Sequence, residues 1–266
     1  MLPAPIAPRR ATAWACGFVC SLGVATACAD DGVHAFRAHY EGKKKIALIP
    51  ATARAVIELQ RSARFVRYTM HTTVSWAMLE RRFRDCSVMR IDGERLQPLE
   101  YRHVDESQPG LDVHTRFDWE TNKATTALGS SPPAAEVPLV APTWDPMSFQ
   151  VALIALAQRR APGDGEVHRV IERGVLKEHR VRFGGLAPLA GQDTRAYEIV
   201  SQKEHGTVAL YLLPEHAWRP ARVAVDEVTI DLVGSPTGDA PSALPDGELP
   251  RCEPGAPRAG AGQEPR

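Results

Sequence analysis

The chain has 266 residues, of which 44% are hydrophobic and 24% charged, and Lys plus Arg equal Asp plus Glu at 32 each. A chain without net charge produces no long-range field that would draw it to nucleic acid or to an anionic lipid surface. The composition therefore argues against a nucleic-acid-binding protein. Any binding must depend on local shape and apolar contact.

Residues 1–29 have the pattern of a signal peptide for secretion: two early arginines, an uncharged apolar run over residues 13–27, and small residues around Cys28. The run is shorter than the about 20 residues that a membrane-spanning helix needs. We therefore expect no membrane span, cleavage after Ala29 and export to the periplasm. Cleavage before Cys28, which would leave that cysteine free for lipid attachment, is the alternative.

Between residues 33 and 233 the dominant hydrophobic period is two, which is typical of β-strands. Residues 111–120 alternate most regularly, with apolar side chains or threonine on one face and polar side chains on the other. Strands with one solvated face belong to antiparallel sheets. Asp92-Gly93, between two strand-like runs, predicts a hairpin turn. We therefore expect a domain over residues 30–234 built mainly from antiparallel strands.

One segment breaks this period and predicts a helix over about residues 145–159. Asp145 is placed to cap it, Pro146 suits its first turn, and arginines 159 and 160 suit its end. The segment is apolar nearly all round, so it must be buried on most sides. The sequence thus predicts a mainly β fold, in which a curved antiparallel sheet resembling half a barrel wraps around one buried α-helix.

The C-terminal residues 235–266 are rich in Pro, Gly and Ala and predict a disordered tail, because they have too little apolar surface to offset the entropy of ordering. Removal of the signal peptide after Ala29 leaves two cysteines, Cys86 and Cys252. In an oxidising compartment these form a disulfide or remain as two free thiols, and the sequence leaves both open.

No motif for nucleophilic catalysis, nucleotide binding or a cofactor is present, so we assign no catalytic residue, metal ligand or cofactor. His71, His103 and His114 could converge across neighbouring strands to bind a metal. Asp118 and Glu120, on one strand face, could serve a glycoside hydrolase or bind calcium. In both cases a solvated polar face is the simpler interpretation.

The apolar helix favours a different hypothesis. If the sheet leaves space around it, the gap could bind an acyl chain or another apolar ligand. A closed core without space is the alternative. The candidate lining residues are Phe149, Val151, Leu153, Ile154 and Leu156 of the helix, together with Trp119.

Three segments carry a resemblance to a known family. In chain order they are residues 91–101 around Asp92-Gly93, residues 144–149 (Trp-Asp-Pro-Met-Ser-Phe), and residues 210–214 with 219–223. Over residues 33–233 the chain resembles the exported Gram-negative family called domain of unknown function 3108. The match departs at residues 43–50, where a basic and apolar run replaces the short glycine-containing turn. The resemblance implies an open half-barrel like that of periplasmic lipoprotein carriers and supplies no functional residues.

These observations give three hypotheses for function. The first is a non-enzymatic periplasmic protein that binds a lipid or other apolar ligand. The second is a scaffold or interaction module of the cell envelope with a filled core and an envelope protein as its partner. The third is an envelope polysaccharide hydrolase, which rests only on the carboxylates and histidines named above.

Overall fold

The computed structural model describes residues 33–46, 49–93, 95–132, 135–189, 194–203, 206–225, 228–234, 241, 243–245 and 248–253. The predicted signal peptide, with Cys28 and Ala29, lies outside these residues. The fold is mainly β with one α-helix, α1, at Pro146–Ala157. The strands are β1 Phe36–Ile46, β2 Ile49–Arg61, β3 Phe65–Trp76, β4 Leu79–Asp92, β5 Arg95–Asp105, β6 Val113–Asp118, β7 Lys123–Leu128, β8 Ala135–Pro138, β9 Thr143–Trp144, β10 Gly165–Glu172, β11 Val175–Pro188, β12 Arg195–Lys203, β13 Gly206–Leu213, β14 Arg219–Val225 and β15 Val228–Val233.

The described strands form a single curved sheet in the order β8-β7-β6-β5-β4-β3-β2-β1-β15-β14-β13-β12-β11-β10-β9. All neighbours pair antiparallel except β9 and β10, which pair parallel. The strands at the two ends of this order, β8 and β9, follow one another in the chain but do not pair with each other. The sheet is therefore an open half-barrel, which confirms the predicted fold class.

Turn residues set the hairpin register as the sequence predicts. Gly93, after Asp92, has φ +60° and links β4 to β5, while Asn122 has φ +55° and links β6 to β7. Both are in the left-handed region that Gly and Asn tolerate best. Pro98 and Pro220 each lie where the strand register shifts. A proline lacks the N–H that a regular ladder needs, so an irregular position accommodates it.

The inward face of the sheet packs around α1. Asp145 caps the helix: its carboxylate accepts hydrogen bonds from the N–H groups of Met147 and Ser148, both at 2.9 Å. Pro146 occupies the first turn, where no N–H is required. The main core consists of helix residues such as Phe149 and inward residues of both halves of the sheet. The helix therefore fills the half-barrel, as its apolar sequence requires.

Residues 75–82 form the tip of the β3–β4 hairpin. Ala77 has φ +50° there, and Met78 is fully exposed. No helix in the described residues has both the length and the apolar character needed to cross a membrane.

Candidate functional site

A groove of about 1180 Å³ lies on the outer face of the sheet, over β4 to β8. Its floor is a row of residues brought side by side by the strand register. The row consists of Val88, Glu100, Arg116, Thr125 and Glu136. Segment 249–253 of the tail forms one wall, and aromatic residues at the end of β6 form another part of the lining. We call this the outer groove.

A disulfide between Cys86 of β4 and Cys252 holds the tail against the sheet. Cys252 is only 3% exposed, and its N–H donates a hydrogen bond to the Glu100 carboxylate at 3.3 Å. The sequence predicts a disordered tail, whereas residues 248–253 are placed on the sheet. A covalent cross-link and a backbone hydrogen bond fix what composition alone leaves mobile.

Glu100 is the electrostatic centre of the groove floor. His114 lies 2.8 Å from its carboxylate, and Arg102 lies 3.4 Å from it. Burial raises the pKa of Glu100, but hydrogen bonds from His114 and Cys252 and the charges of His114 and Arg102 outweigh burial and hold the pKa below its usual value. Glu100 is therefore an ionised, fully engaged carboxylate that fixes the position of the tail.

Arg116 lies between Glu100 and Thr125 in the floor row and is exposed. Its guanidinium has no hydrogen-bond or ion-pair partner in the part of the chain that the structure describes. By contrast, the neighbouring Lys123 is paired with Glu136 at 3.1 Å. Arg116 is thus a cation in the groove that is available to an anionic group.

One end of the groove is formed by the half-buried Trp119, whose ring stacks, with centroids 6.4 Å apart, on Phe117, a buried residue whose side chain lies on the opposite face of β6 from that of Arg116. The indole N–H of Trp119 donates to the carbonyl of Pro98 at 2.7 Å, which fixes the ring at the groove edge. Leu249 and Pro250 of the tail contribute further apolar surface. The groove therefore presents an apolar end and a cationic centre to the same ligand.

Asp118, one of the two candidate catalytic carboxylates, stabilises the turn after β6. The Asp118 carboxylate accepts hydrogen bonds from the N–H groups of Glu120 and Thr121 at 2.9 and 3.0 Å. These hydrogen bonds lower the pKa of Asp118. Such bonding is what an aspartate at the start of a turn provides, and it leaves the carboxylate poorly suited to accept or give a proton near neutral pH.

The helix residues predicted to line a cavity are packed in the core. Phe149, Val151, Leu153 and Ile154 are at most 2% exposed, and Leu156 is half-buried against the same cluster. Trp119 lies apart from them: it packs on a smaller cluster with Phe117 and borders the outer groove. The structure therefore does not bring the predicted residues together into one site.

Inside the half-barrel, three polar side chains that no sequence motif marks lie close to one another, and one of them packs on the helix residue Phe149. His179 contacts Ser201 Oγ at 3.0 Å and Glu172 at 3.2 Å, an arrangement similar in outline to a catalytic Ser-His-acid triad. Ser201 has no exposed surface, and the ring of Phe149 packs on His179. No substrate can reach that hydroxyl in this conformation, so the contacts satisfy buried polar groups.

The candidate metal ligands do not converge. His103 faces the interior and contacts Asp85 at 2.9 Å, whereas His114 lies beside Arg102 on the outer face. His71 pairs with Arg84 of β4. Among the described residues, no group of three or more His, Cys, Asp or Glu side chains is arranged to hold a metal ion.

The architecture defines the class: a half-barrel of mainly antiparallel strands wrapped around one helix, with a groove on its outer face. Residues 35–170 match the family described as Protein of unknown function (DUF3108), and the chain belongs to that family. A comparison with curated proteins gave no match.

Among solved structures, the chain is similar to a beta-barrel-like protein of domain of unknown function DUF1849 from Brucella abortus. The TM-score is 0.52 at 12% sequence identity, over 76% of this chain and 97% of that one. At this identity the likeness concerns the fold alone.

Proposed function

We propose that this protein is exported to the periplasm and binds there, without catalysing a reaction, an amphipathic ligand with an acidic headgroup in the outer groove. The observation that carries the proposal is the placement of Arg116, a cation without a partner among the described residues, in the same groove as the half-buried Trp119 and the apolar tail residues Leu249 and Pro250. A carboxylate or phosphate would bind the guanidinium, and an attached apolar chain would cover the indole ring and the tail wall. This retains the lipid-binding hypothesis and moves the ligand from the helix to the outer face.

The groove has the size and composition for such a ligand. Its volume of about 1180 Å³ is somewhat larger than the about 300–1,000 Å³ that small-molecule sites typically occupy. The groove also combines aliphatic, aromatic and charged side chains. The disulfide at Cys252 fixes the tail wall before a ligand arrives, so little ordering entropy is lost on binding.

The test compares two amphiphiles with the same ten-carbon chain, decanoate and the uncharged decyl maltoside, by calorimetry below their micellar concentrations. Arg116→Gln should weaken decanoate binding at least tenfold, because a charge-assisted hydrogen bond is worth about 1.5–3 kcal/mol. It should leave decyl maltoside binding unchanged. Trp119→Ala should weaken both, and Arg182→Gln, which changes an exposed arginine on β11 outside the groove, should affect neither. Equal decanoate affinity in all four proteins would refute the site.

The proposed export is tested separately, because export depends on the N-terminal segment and not on the groove. The mature protein from a periplasmic fraction should begin at Asp30, and Cys28→Ser should not change its location. A mature chain that begins with a lipid-modified Cys28 would instead support the anchored alternative.

A further inference from the structure

The exposed large hydrophobic residues of the half-barrel are concentrated at one end of the sheet. Because neighbouring strands alternate in direction, the end of β1 lies at the same edge as the ends of β3, β5, β7, β10, β12 and β14. Most of the exposed large hydrophobic side chains in the described residues lie at this edge. They are Met78, Leu79, Leu111, Leu128, Val175, Leu176, Val225 and Val228, and we call them the apolar rim.

In the part of the chain that is described, the opposite edge carries fewer exposed large hydrophobic residues. Its turns contain Arg64, Gly93 and Asn122. Of the other five exposed large hydrophobic residues, Val140, Val167, Leu186 and Val233 lie at or near this opposite edge in separate strands or loops, and Leu249 lies in the tail. Single exposed hydrophobic residues are ordinary on a protein surface, but a concentration on one side indicates an interaction surface. The asymmetry between the two edges is therefore what requires an explanation.

We infer that the apolar rim docks the protein on the surface of a phospholipid bilayer. The rim is contributed by separate strand ends rather than by one flat patch. A protein partner would need a complementary surface for every one of them, whereas a fluid bilayer admits scattered side chains wherever they project. The most exposed residues of the rim, Met78 and Leu79, form the tip of the β3–β4 hairpin.

Cations stand just behind the tips, which fits a bilayer better than an apolar protein groove. Arg82 follows the β3–β4 tip, where it pairs with the exposed Glu80 at 2.7 Å, and Lys43 is exposed near the end of β1, whereas Arg81 is engaged by Asp105. Such side chains can reach lipid phosphates while the tips lie among the acyl chains. Trp76 ends β3 and is half-buried at this edge, where an indole suits the boundary between water and lipid.

Charge is a secondary contribution, since the chain as a whole is neutral. Binding to zwitterionic vesicles should therefore be measurable by itself. An anionic lipid fraction should strengthen it only several-fold, with a partial loss at high salt. The aromatic end of the outer groove lies at the edge of the sheet opposite to the rim. Ligand binding in the groove and membrane docking of the rim can therefore be tested independently.

The experiment is flotation of the purified mature protein with vesicles of phosphatidylcholine, with and without phosphatidylglycerol. The double variant Met78→Gln/Leu79→Gln should lose at least tenfold in partitioning to both vesicle types. The matched control Leu186→Gln, which removes an exposed leucine of β11 near the opposite edge of the sheet, should float like the wild type. Both variants should unfold at the wild-type temperature, because the replaced side chains are exposed.

Fluorescence gives an independent readout of the rim. Brominated phosphatidylcholine should quench part of the tryptophan emission, and Trp76→Phe should remove that part. The proposal is overturned if the wild type does not float, or if the double variant floats equally well. It is also overturned if binding requires anionic lipid and vanishes in salt, or if the rim variants instead change a dimer into a monomer. Decanoate binding in the double variant shows whether the outer groove is intact.

Discussion

The buried carboxyl of Asp145 makes stability depend on pH in a direction opposite to that of a surface carboxylate. Asp145 has no exposed surface. Its carboxyl accepts hydrogen bonds from Ser87 Oγ at 2.8 Å and Ser148 Oγ at 2.7 Å, besides the two helix N–H groups. Burial nevertheless raises its pKa from 3.8 to about 6, against the effect of these hydrogen bonds. We expect Asp145→Asn to remove this pH dependence.

The size of the effect follows from that shift. Between pH 3.8 and about 6 the native Asp145 carboxyl keeps a proton that the unfolded chain has lost, so the free energy of unfolding falls as the pH rises through this window. About two pH units at 1.36 kcal/mol each give about 3 kcal/mol. Relative to the wild type, the Asn variant should therefore gain about 3 kcal/mol between pH 3.5 and pH 7.5.

The assay is urea unfolding of both proteins, with the disulfide intact, at several pH values in that range. The difference between the two proteins cancels the titration of groups that both retain. Ser87→Ala serves as a second variant: it removes a donor to the carboxylate, so it should raise the pKa of Asp145 further and steepen the pH dependence. A constant difference between wild type and Asn variant, or one that moves the other way, would refute the reasoning.

Three further predictions concern the cross-link, the closure of the half-barrel and an interior histidine. Cys252→Ser should lower the free energy of unfolding by about 3–5 kcal/mol, because the disulfide joins residues 166 positions apart; reducing the wild type should give the same loss, and reducing the variant none. Gly174→Ala should lower the melting temperature by several degrees, because Gly174 has φ +79° and an added Cβ would lie 2.8 Å from that of Ala135; an unchanged temperature would mean that the two halves are not packed together there. The hydrogen bond to Asp85 raises the pKa of His103 above 6.5. The contribution of protonated His103 to stability is therefore full below pH 6.5 and is lost as the pH rises through the pKa of the folded state. Asp85→Asn should lower the pKa of His103 in an NMR titration, and an unchanged pKa would contradict this assignment.

The fold could be predicted because its determinants are local. Alternation along residues 111–120 gives β6, although the strand begins only at Val113 because Pro109 and Gly110 form a short 3-10 turn first. Asp145 and Pro146 mark the start of the helix within one residue. The helix has no polar face, so its sequence alone excludes a position on the surface.

The outer groove could not be predicted, because it joins parts of the chain that no local pattern connects. Its floor depends on the register that places Glu100 beside Arg116, and its wall depends on which cysteine Cys252 meets. A one-residue change of register would move Arg116 to the other face of its strand. A tryptophan suits either a cavity beside the helix or the edge of a groove. The residue type therefore does not reveal that Trp119 stacks on Phe117 at the groove edge.

The disulfide and the outer groove should be coupled energetically, because one ligand would touch both the sheet and the tail. A ligand that contacts Arg116 on the floor and Leu249 on the wall favours the docked tail over any undocked state. By linkage, the factor by which the ligand stabilises tail docking equals the factor by which docking improves ligand affinity. Decanoate should therefore bind more weakly to Cys252→Ser than to the wild type, although this substitution removes no charge from the groove. Equal affinity would show that the tail is not part of the binding surface.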